Sequence, residues 1–224
     1  MAKIILFFPK LESKALLLPA SLLYVAAPLV EKGYEVKIID QRLEKYWQNL
    51  LIKELKDRPL AVGISAKTGK QIFYGLEASR VVKENSKVPV IWGGVHPTLL
   101  PEQTLQNPYI DFVVIGEGER TFLNLMQKLE AGDNYEDLDG IGFKKNNQTV
   151  CNPPKEFLNL DDLPEIPYQL VDIEKYIAKK SFASGKEARN IAFYTSRGCP
   201  HRCAFCYNKE FNKQRWRGES APRV

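Results

Sequence analysis

The chain has 224 residues, 44% hydrophobic and 26% charged, an ordinary globular composition that excludes disordered, collagen-like and disulfide-stapled classes. Its net charge of +5 is unevenly placed: residues 186–224 hold nine Lys or Arg against three Glu, a surplus of +6, so residues 1–185 sum to −1. The basic balance belongs to the tail, which lacks the contact chemistry of a nucleic-acid binder, and no nucleic-acid partner is expected.

From the N-terminus the sequence alternates between two periods. Short apolar runs at 3–9, 35–40, 60–65, 89–94 and 111–118 read as strands. Helical patterns lie between and after them at 21–32, 42–57, 71–85, 101–106 and 121–131; in the third, Ile72, Leu76, Ser79, Val81 and Val82 give an apolar stripe of helical spacing. Near-continuous apolar strands imply burial on both faces, hence a parallel sheet with helices on either side. Right-handed crossovers then give an α/β, doubly wound, flavodoxin-like or Rossmann-like domain over residues 1–140.

The run "ALLLPASLLYVAAPLV", residues 15–30, carries no charge. It falls short of the roughly 20 residues a spanning helix needs. Pro19 and Pro28 interrupt it, and the segment before it is strand-like, with no basic leader. A buried helix with its entry loop is expected, with no export, no membrane span and a cytoplasmic location.

Beyond residue 140, "GIGFKKNNQTVCN" reads as two short strands around an Asn-Asn turn. The proline-rich "PPKEFLNLDDLPEIPYQLVD" follows as a linker or strap, so residues 141–185 form a hairpin and connecting segment. A further apolar strand is expected at 190–196, leading into a third region, 186–224.

In an open parallel sheet, ligands sit beyond the carboxyl ends of the strands. The loops there are rich in Gly, Ser and Thr, which let backbone approach a ligand and offer hydroxyl donors. The candidate cofactor contacts are Ser65, Thr68 and Gly69, then Gly93, Gly94 and His96, then Gly116, Glu117 and Gly118. No G-x-G-x-x-G follows the first strand, which disfavours a nicotinamide cofactor. His96 is either a metal ligand or a loop histidine that bonds its own turn or lines the pocket. Glu117 and Glu119 are either a paired acid and base, helix N-terminal acids, or polar groups of a pocket.

Three of the four cysteines, Cys199, Cys203 and Cys206, fall in C-x3-C-x2-C, and clustering of this kind points to metal or redox chemistry rather than structural disulfides. Structural zinc takes four ligands, and no fourth cysteine or paired histidine follows. A thioredoxin-like pair leaves Cys199 unexplained, and ferredoxin spacing needs a fourth cysteine. Three thiolates suit a [4Fe–4S] cluster with one iron open.

The segments "VGISAKTG", "PVIWGGVHPTLLPEQTL" and "IDFVVIGEGERTF" together resemble the cobalamin-binding domain found ahead of radical S-adenosylmethionine (SAM) enzymes. The cysteine spacing, with Phe205 before the last cysteine, is similar to the hallmark of that superfamily. The resemblance implies that Ser65, Gly93 and Gly94 flank the nucleotide tail of cobalamin. It implies that the three cysteines hold the cluster while SAM chelates its open iron, with Phe205 near the adenine. No histidine stands in "FFPKLESKA", where the wider family places its cobalt ligand, so cobalamin held without one is implied.

The resemblance further implies methyl transfer, carbon–carbon bond formation or ring chemistry on a small-molecule substrate, with an external electron donor of flavodoxin or ferredoxin type. A cobalamin-binding module without activity is the alternative. A complete eight-stranded barrel needs about 250 residues, whereas eighteen follow Cys206. The expectation is therefore the N-terminal part of a longer enzyme, holding the first strand of a truncated TIM-type barrel. Such a chain would be unable to turn over alone and would need the missing C-terminal barrel as partner. Its tail is expected to lack packing partners.

Overall fold

A computed structural model of the chain describes residues 2–11, 16–180 and 185–224. The apolar runs form five parallel strands: β1 (Lys3–Phe8), β2 (Glu35–Asp40), β3 (Ala61–Ser65), β4 (Val90–Gly93) and β5 (Phe112–Val114). Two antiparallel strands, β6 (Ile141–Lys145) and β7 (Gln148–Cys151), continue the sheet in the order β2-β1-β3-β4-β5-β6-β7. The hairpin that the sequence places after residue 140 thus extends the sheet. Its turn residues Asn146 and Asn147 take φ of 51° and 61°, the left-handed pair a two-residue hairpin turn requires.

Alternation along β1 shows why the runs are apolar throughout. Ile5 and Phe7 pack on one face against α2 (Trp47–Leu55) and α3 (Lys70–Asn85). Ile4, Leu6 and Phe8 pack on the other against α1 (Ala20–Glu31) and α6 (Gly118–Ala131). All five side chains are buried, each burial stabilising by about 1.5–3 kcal/mol. Between β4 and β5 the chain makes two short helices, α4 (Val95–Leu99) and α5 (Pro101–Leu105).

The uncharged run at 15–30 lies in α1 apart from its first residues, of which Ala15 falls outside the described set. Leu22, Ala26 and Leu29 face the sheet, while Leu23 and Tyr24 face the proline-rich segment crossing outside them. Burial on both sides explains the lack of charge. The helix runs through Pro28 without stopping, although the sequence suggests an interruption there. Among the described residues no helix is long and apolar enough to cross a membrane.

Two further expectations are corrected. The second helix starts at Trp47, not at residue 42, because Arg42 is used elsewhere. Its guanidinium meets the Asp40 carboxylate at 2.5 Å and stacks 4.3 Å from the centroid of Phe8, and both members of the ion pair are buried. The strand expected at 190–196 does not form. Instead β8 (Ala178–Lys180) pairs with β9 (Glu187–Asn190), and β10 (Ser196–Gly198) pairs with β11 (Trp216–Gly218). Each end of the apolar run is taken by a separate hairpin, and Phe193 and Tyr194 between them are exposed.

The proline-rich strap is fastened at its far end where Tyr176 donates to Asp40 Oδ2 at 2.9 Å. Replacing Tyr176 by Phe removes one buried hydrogen bond to a charged group, worth about 2 kcal/mol. Urea unfolding of Tyr176→Phe is expected to show that loss with an unchanged slope; stability equal to wild type would show that the strap is not held there.

Candidate functional site

The carboxyl ends of β1, β3, β4 and β5 and the N-terminal turns of α1 and α6 enclose a cavity of about 170 Å³. Its floor is apolar, made by Leu6, Ile91, Val114 and Phe122 with the backbone of Gly63. Its rim is polar: the Ser21 and Ser65 hydroxyls lie 3.3 Å apart, beside Gly93, Gly94, Gly116, Glu117 and Gly118. Six of the nine expected cofactor contacts therefore meet on one cavity: Ser65, Gly93, Gly94, Gly116, Glu117 and Gly118.

Two glycines have distinct reasons to be there. Gly94 has φ of 102°, and a Cβ would stand 2.9 Å from the Ala66 carbonyl oxygen, which accepts the His96 N–H. A Cβ on Gly63 would lie 2.9 Å from Leu6 and 3.1 Å from the Phe122 ring, two floor residues, so a side chain there would fill the floor. Sequence reasoning passed over Gly63; an isolated glycine inside the buried run "AVGIS" is the signal that could have found it.

Thr68, Gly69 and His96 do not line the cavity. Thr68 and Gly69 are exposed ahead of α3, and the Thr68 hydroxyl lies 3.3 Å from His96 Nδ1. His96 is itself buried, and burial lowers its pKa from the usual histidine value. The His96 side chain thus neither bonds its own turn nor lines the cavity; it meets the neighbouring loop between β3 and α3.

Glu117 and Glu119, at the start of α6, form a buried junction with the tail. Glu117 accepts from Arg197 Nη1 at 2.8 Å, from Arg217 at 2.8 and 2.9 Å, and from the Leu158 N–H at 3.0 Å. Glu119 accepts from Arg197 Nη2 at 2.6 Å. Burial alone would push the Glu117 carboxyl up, but bonds from Arg217 and Leu158 and the charge of Arg197 outweigh it and hold it below its usual value. For Arg197 burial again opposes the charge, and Glu119 and Glu117 more than reverse it. Both carboxylates are engaged by arginine.

The tail thus has packing partners, contrary to expectation. Arg197 and Arg217 face each other in the β10–β11 register, and such like charges repel unless an anion lies between them. Glu117 is that anion. Arg197 and Phe211, the latter in the short helix α7 (Asn208–Phe211), also line the cavity. Gly198, with φ of 85°, turns the chain into the cysteine loop, where a Cβ would collide with the Arg215 carbonyl oxygen.

The loop carries the three cysteines as free thiols, Cys199 and Cys206 half-buried and Cys203 exposed. The Cys206 N–H bonds the Cys203 carbonyl at 3.1 Å, closing one turn. The thiol donor set suits soft-metal ligation. The positions do not yet fit it: among the described residues, no three His, Cys, Asp or Glu side chains are grouped to hold a metal ion. Phe205, expected near the SAM adenine, is 94% exposed.

Residues 11–126 match the family model described as the B12 binding domain. The chain is 35% identical over 213 residues to the "uncharacterized methyltransferase PH0819" of Pyrococcus horikoshii, covering 92% of this chain and 44% of that protein. It is 29% identical over 203 residues to an anaerobic magnesium-protoporphyrin IX monomethyl ester cyclase of Synechocystis sp., covering 89% of this chain and 39% of the cyclase. All of it superposes, with a TM-score of 0.75 and 19% identity, on 44% of the radical SAM methyltransferase TsrM of Kitasatospora setae, solved with cobalamin and a [4Fe–4S] cluster bound. That last likeness shows the fold. The chain spans less than half the length of each of these relatives.

Because burial depresses the His96 pKa, the unfolded chain binds that proton more readily, and stability falls as pH drops below about 6.5. Melting temperatures at pH 7.5 and 5.5 are expected to differ more in wild type than in His96→Gln. Equal differences would show that His96 titrates as freely folded as unfolded.

Proposed function

The chain belongs to the B12-binding domain family, and from that premise we propose that it is the cobalamin-holding part of a cobalamin-dependent radical SAM enzyme. The observation that carries the reading is the cavity at the carboxyl ends of β1, β3, β4 and β5. Its apolar floor suits a flat aromatic base, and its rim of Ser21, Ser65 and glycine backbone suits the polar groups joined to such a base. Bound cobalamin would supply a methyl carrier. The chain's own part is to exclude water from the floor, to present hydroxyls at the rim, and to leave backbone space at Gly93 and Gly94.

Cys199, Cys203 and Cys206 are the proposed ligands of a [4Fe–4S] cluster whose open iron takes SAM, with Phe205 beside it. In this reading the loop draws the three thiols together on ligation. The proposed chemistry is methyl transfer, carbon–carbon bond formation or ring closure on a small-molecule substrate, with electrons from an external flavodoxin- or ferredoxin-type donor. The names of the relatives, methyltransferases and a cyclase, support that range. A second reading, a cobalamin-binding module without turnover, draws on the ungrouped thiols.

Hydroxocobalamin is expected to be retained at about one per chain after desalting. Gly93 has only Val114 near its missing Cβ, at 3.9 Å, so Gly93→Leu places a side chain at the cavity without backbone collision. That variant is expected to lose retention with little change in its melting curve; equal retention would remove the cavity from the reading.

Anaerobic reconstitution is expected to load four irons and four sulfides per chain in wild type and to fail in Cys203→Ala. Loading of neither protein would favour the module without turnover.

A further inference from the structure

We propose that Glu117 is a positioning residue that couples occupancy of the cavity to the placement of the cysteine loop. The inference rests on the reading of that cavity as the cobalamin site and adds to it a mechanical link that the cavity alone does not require. Glu117 belongs to both structures at once. It lines the cavity, and its carboxylate is the shared acceptor of the two arginines that face each other across the β10–β11 pair. That pair closes the segment carrying Cys199, Cys203 and Cys206.

Both acids at the start of α6 bond the hairpin, but among the described residues Glu117 is the one that bonds both of its strands. Arg197 divides its two terminal nitrogens between Glu117 and Glu119, at 2.8 and 2.6 Å, while its guanidinium lies 4.7 Å from the ring centroid of Tyr24. Tyr24, on α1, lines the same cavity and donates to the Tyr194 carbonyl at 3.0 Å, just ahead of β10. Arg217 adds a bond of 2.9 Å to the Leu158 carbonyl in the strap. A ligand that presses on the rim at Glu117 therefore presses on both strands of the hairpin.

The junction also has slack. Glu119 Oε2 and Arg217 Nε are buried without a partner among the described residues. Buried polar atoms left unmatched cost free energy, so a small rotation of either group that finds a partner is favoured. The like charges of Arg197 and Arg217 supply the opposing tendency: without the Glu117 charge they push β10 and β11 apart. The charge that bridges the two strands of the pair is the Glu117 carboxylate, which stands at the edge of the cavity. Coupling of this kind is reciprocal, so a ligand that steadies Glu117 also steadies the loop.

Thiol labelling of the whole chain by a small maleimide, read peptide by peptide in the mass spectrometer, tests this. Hydroxocobalamin is the added ligand, and Cys151 on β7 is the internal reference. In wild type, saturating hydroxocobalamin is expected to slow labelling of Cys199, Cys203 and Cys206 about fivefold or more, the lower end of ordinary coupling, with Cys151 unchanged. In Glu117→Gln, checked by retained absorbance to be loaded, the three thiols are expected to label quickly with or without the cofactor. If Glu117→Gln folds or loads poorly, Arg217→Gln takes its place, since Arg217 does not line the cavity. Equal slowing in wild type and variant would mean that the cofactor merely shields the thiols and would overturn the coupling. Bound hydroxocobalamin with no slowing in wild type would overturn it as well, while leaving the cobalamin reading intact. No retention by wild type would sink that reading, and this inference with it.

Discussion

A parallel sheet is stable only when both faces are covered, and here that constraint decides where everything else goes. Helices α2 and α3 take one face and α1 and α6 the other, which leaves the carboxyl ends of the strands as the open edge of the core. At that edge the N-terminal turns of α1 and α6, with the strand ends, line the cavity. Its floor is the last apolar layer of the core itself: Leu6, Ile91, Val114 and Phe122 are as buried as the residues beneath them. A ligand entering the cavity thus completes a hydrophobic layer and need not create one.

The same covering rule explains the strap. Helix α1 is apolar on its outer side as well, so something has to cover it. The proline-rich segment does so with Leu158, Leu160, Leu163 and Tyr176, and it is fixed at each end by a buried charge cluster. At one end Leu158 gives its N–H to Glu117 and its carbonyl to Arg217. At the other Tyr176 bonds Asp40, which is already paired with Arg42. Buried ion pairs add little net stability, since desolvation offsets their attraction, but breaking one by removing a single partner typically costs about 3–5 kcal/mol. Their effect here is on geometry. A segment with little regular structure of its own crosses the helix in one register because its ends are specified.

The sheet was legible because burial on two faces leaves a mark on composition: runs such as "IILFF" and "AVGIS" have no polar gaps. The rim was legible for a similar reason, since the glycines and Ser65 follow directly on those runs. What the sequence did not reveal depends on pairs distant along the chain. Arg42 reads as the start of a helix until its partner Asp40 and the ring of Tyr176, from the far end of the strap, are in place. Glu117 and Glu119 read in the sequence as a paired acid and base, helix N-terminal acids or pocket polar groups, and nothing nearby points to their arginines, which come from 78 to 100 residues away. The run at 190–196 reads as a strand because alternation records only that a segment is apolar. Whether an edge is free to receive it is a property of the rest of the fold.

Under the proposal that Cys199, Cys203 and Cys206 hold a cluster, the base of their loop bears on the cost of ligation. Ordering a flexible residue costs roughly 1–2 kcal/mol of backbone entropy, so gathering three thiols from a free tail would oppose metal binding by many times that. Much of that ordering is already present. The β10–β11 pair closes the loop, Gly198 permits the turn into it, and Glu117 holds both strands. What remains is the short path from Cys199 to Cys206, including the single turn at Cys203–Cys206. The free energy of metal ligation in small sites, on the order of 10 kcal/mol or more, is large beside that residual cost. In that proposal the loop is fixed at its base by the β10–β11 pair, while Cys203 at its tip is exposed and open to an incoming metal.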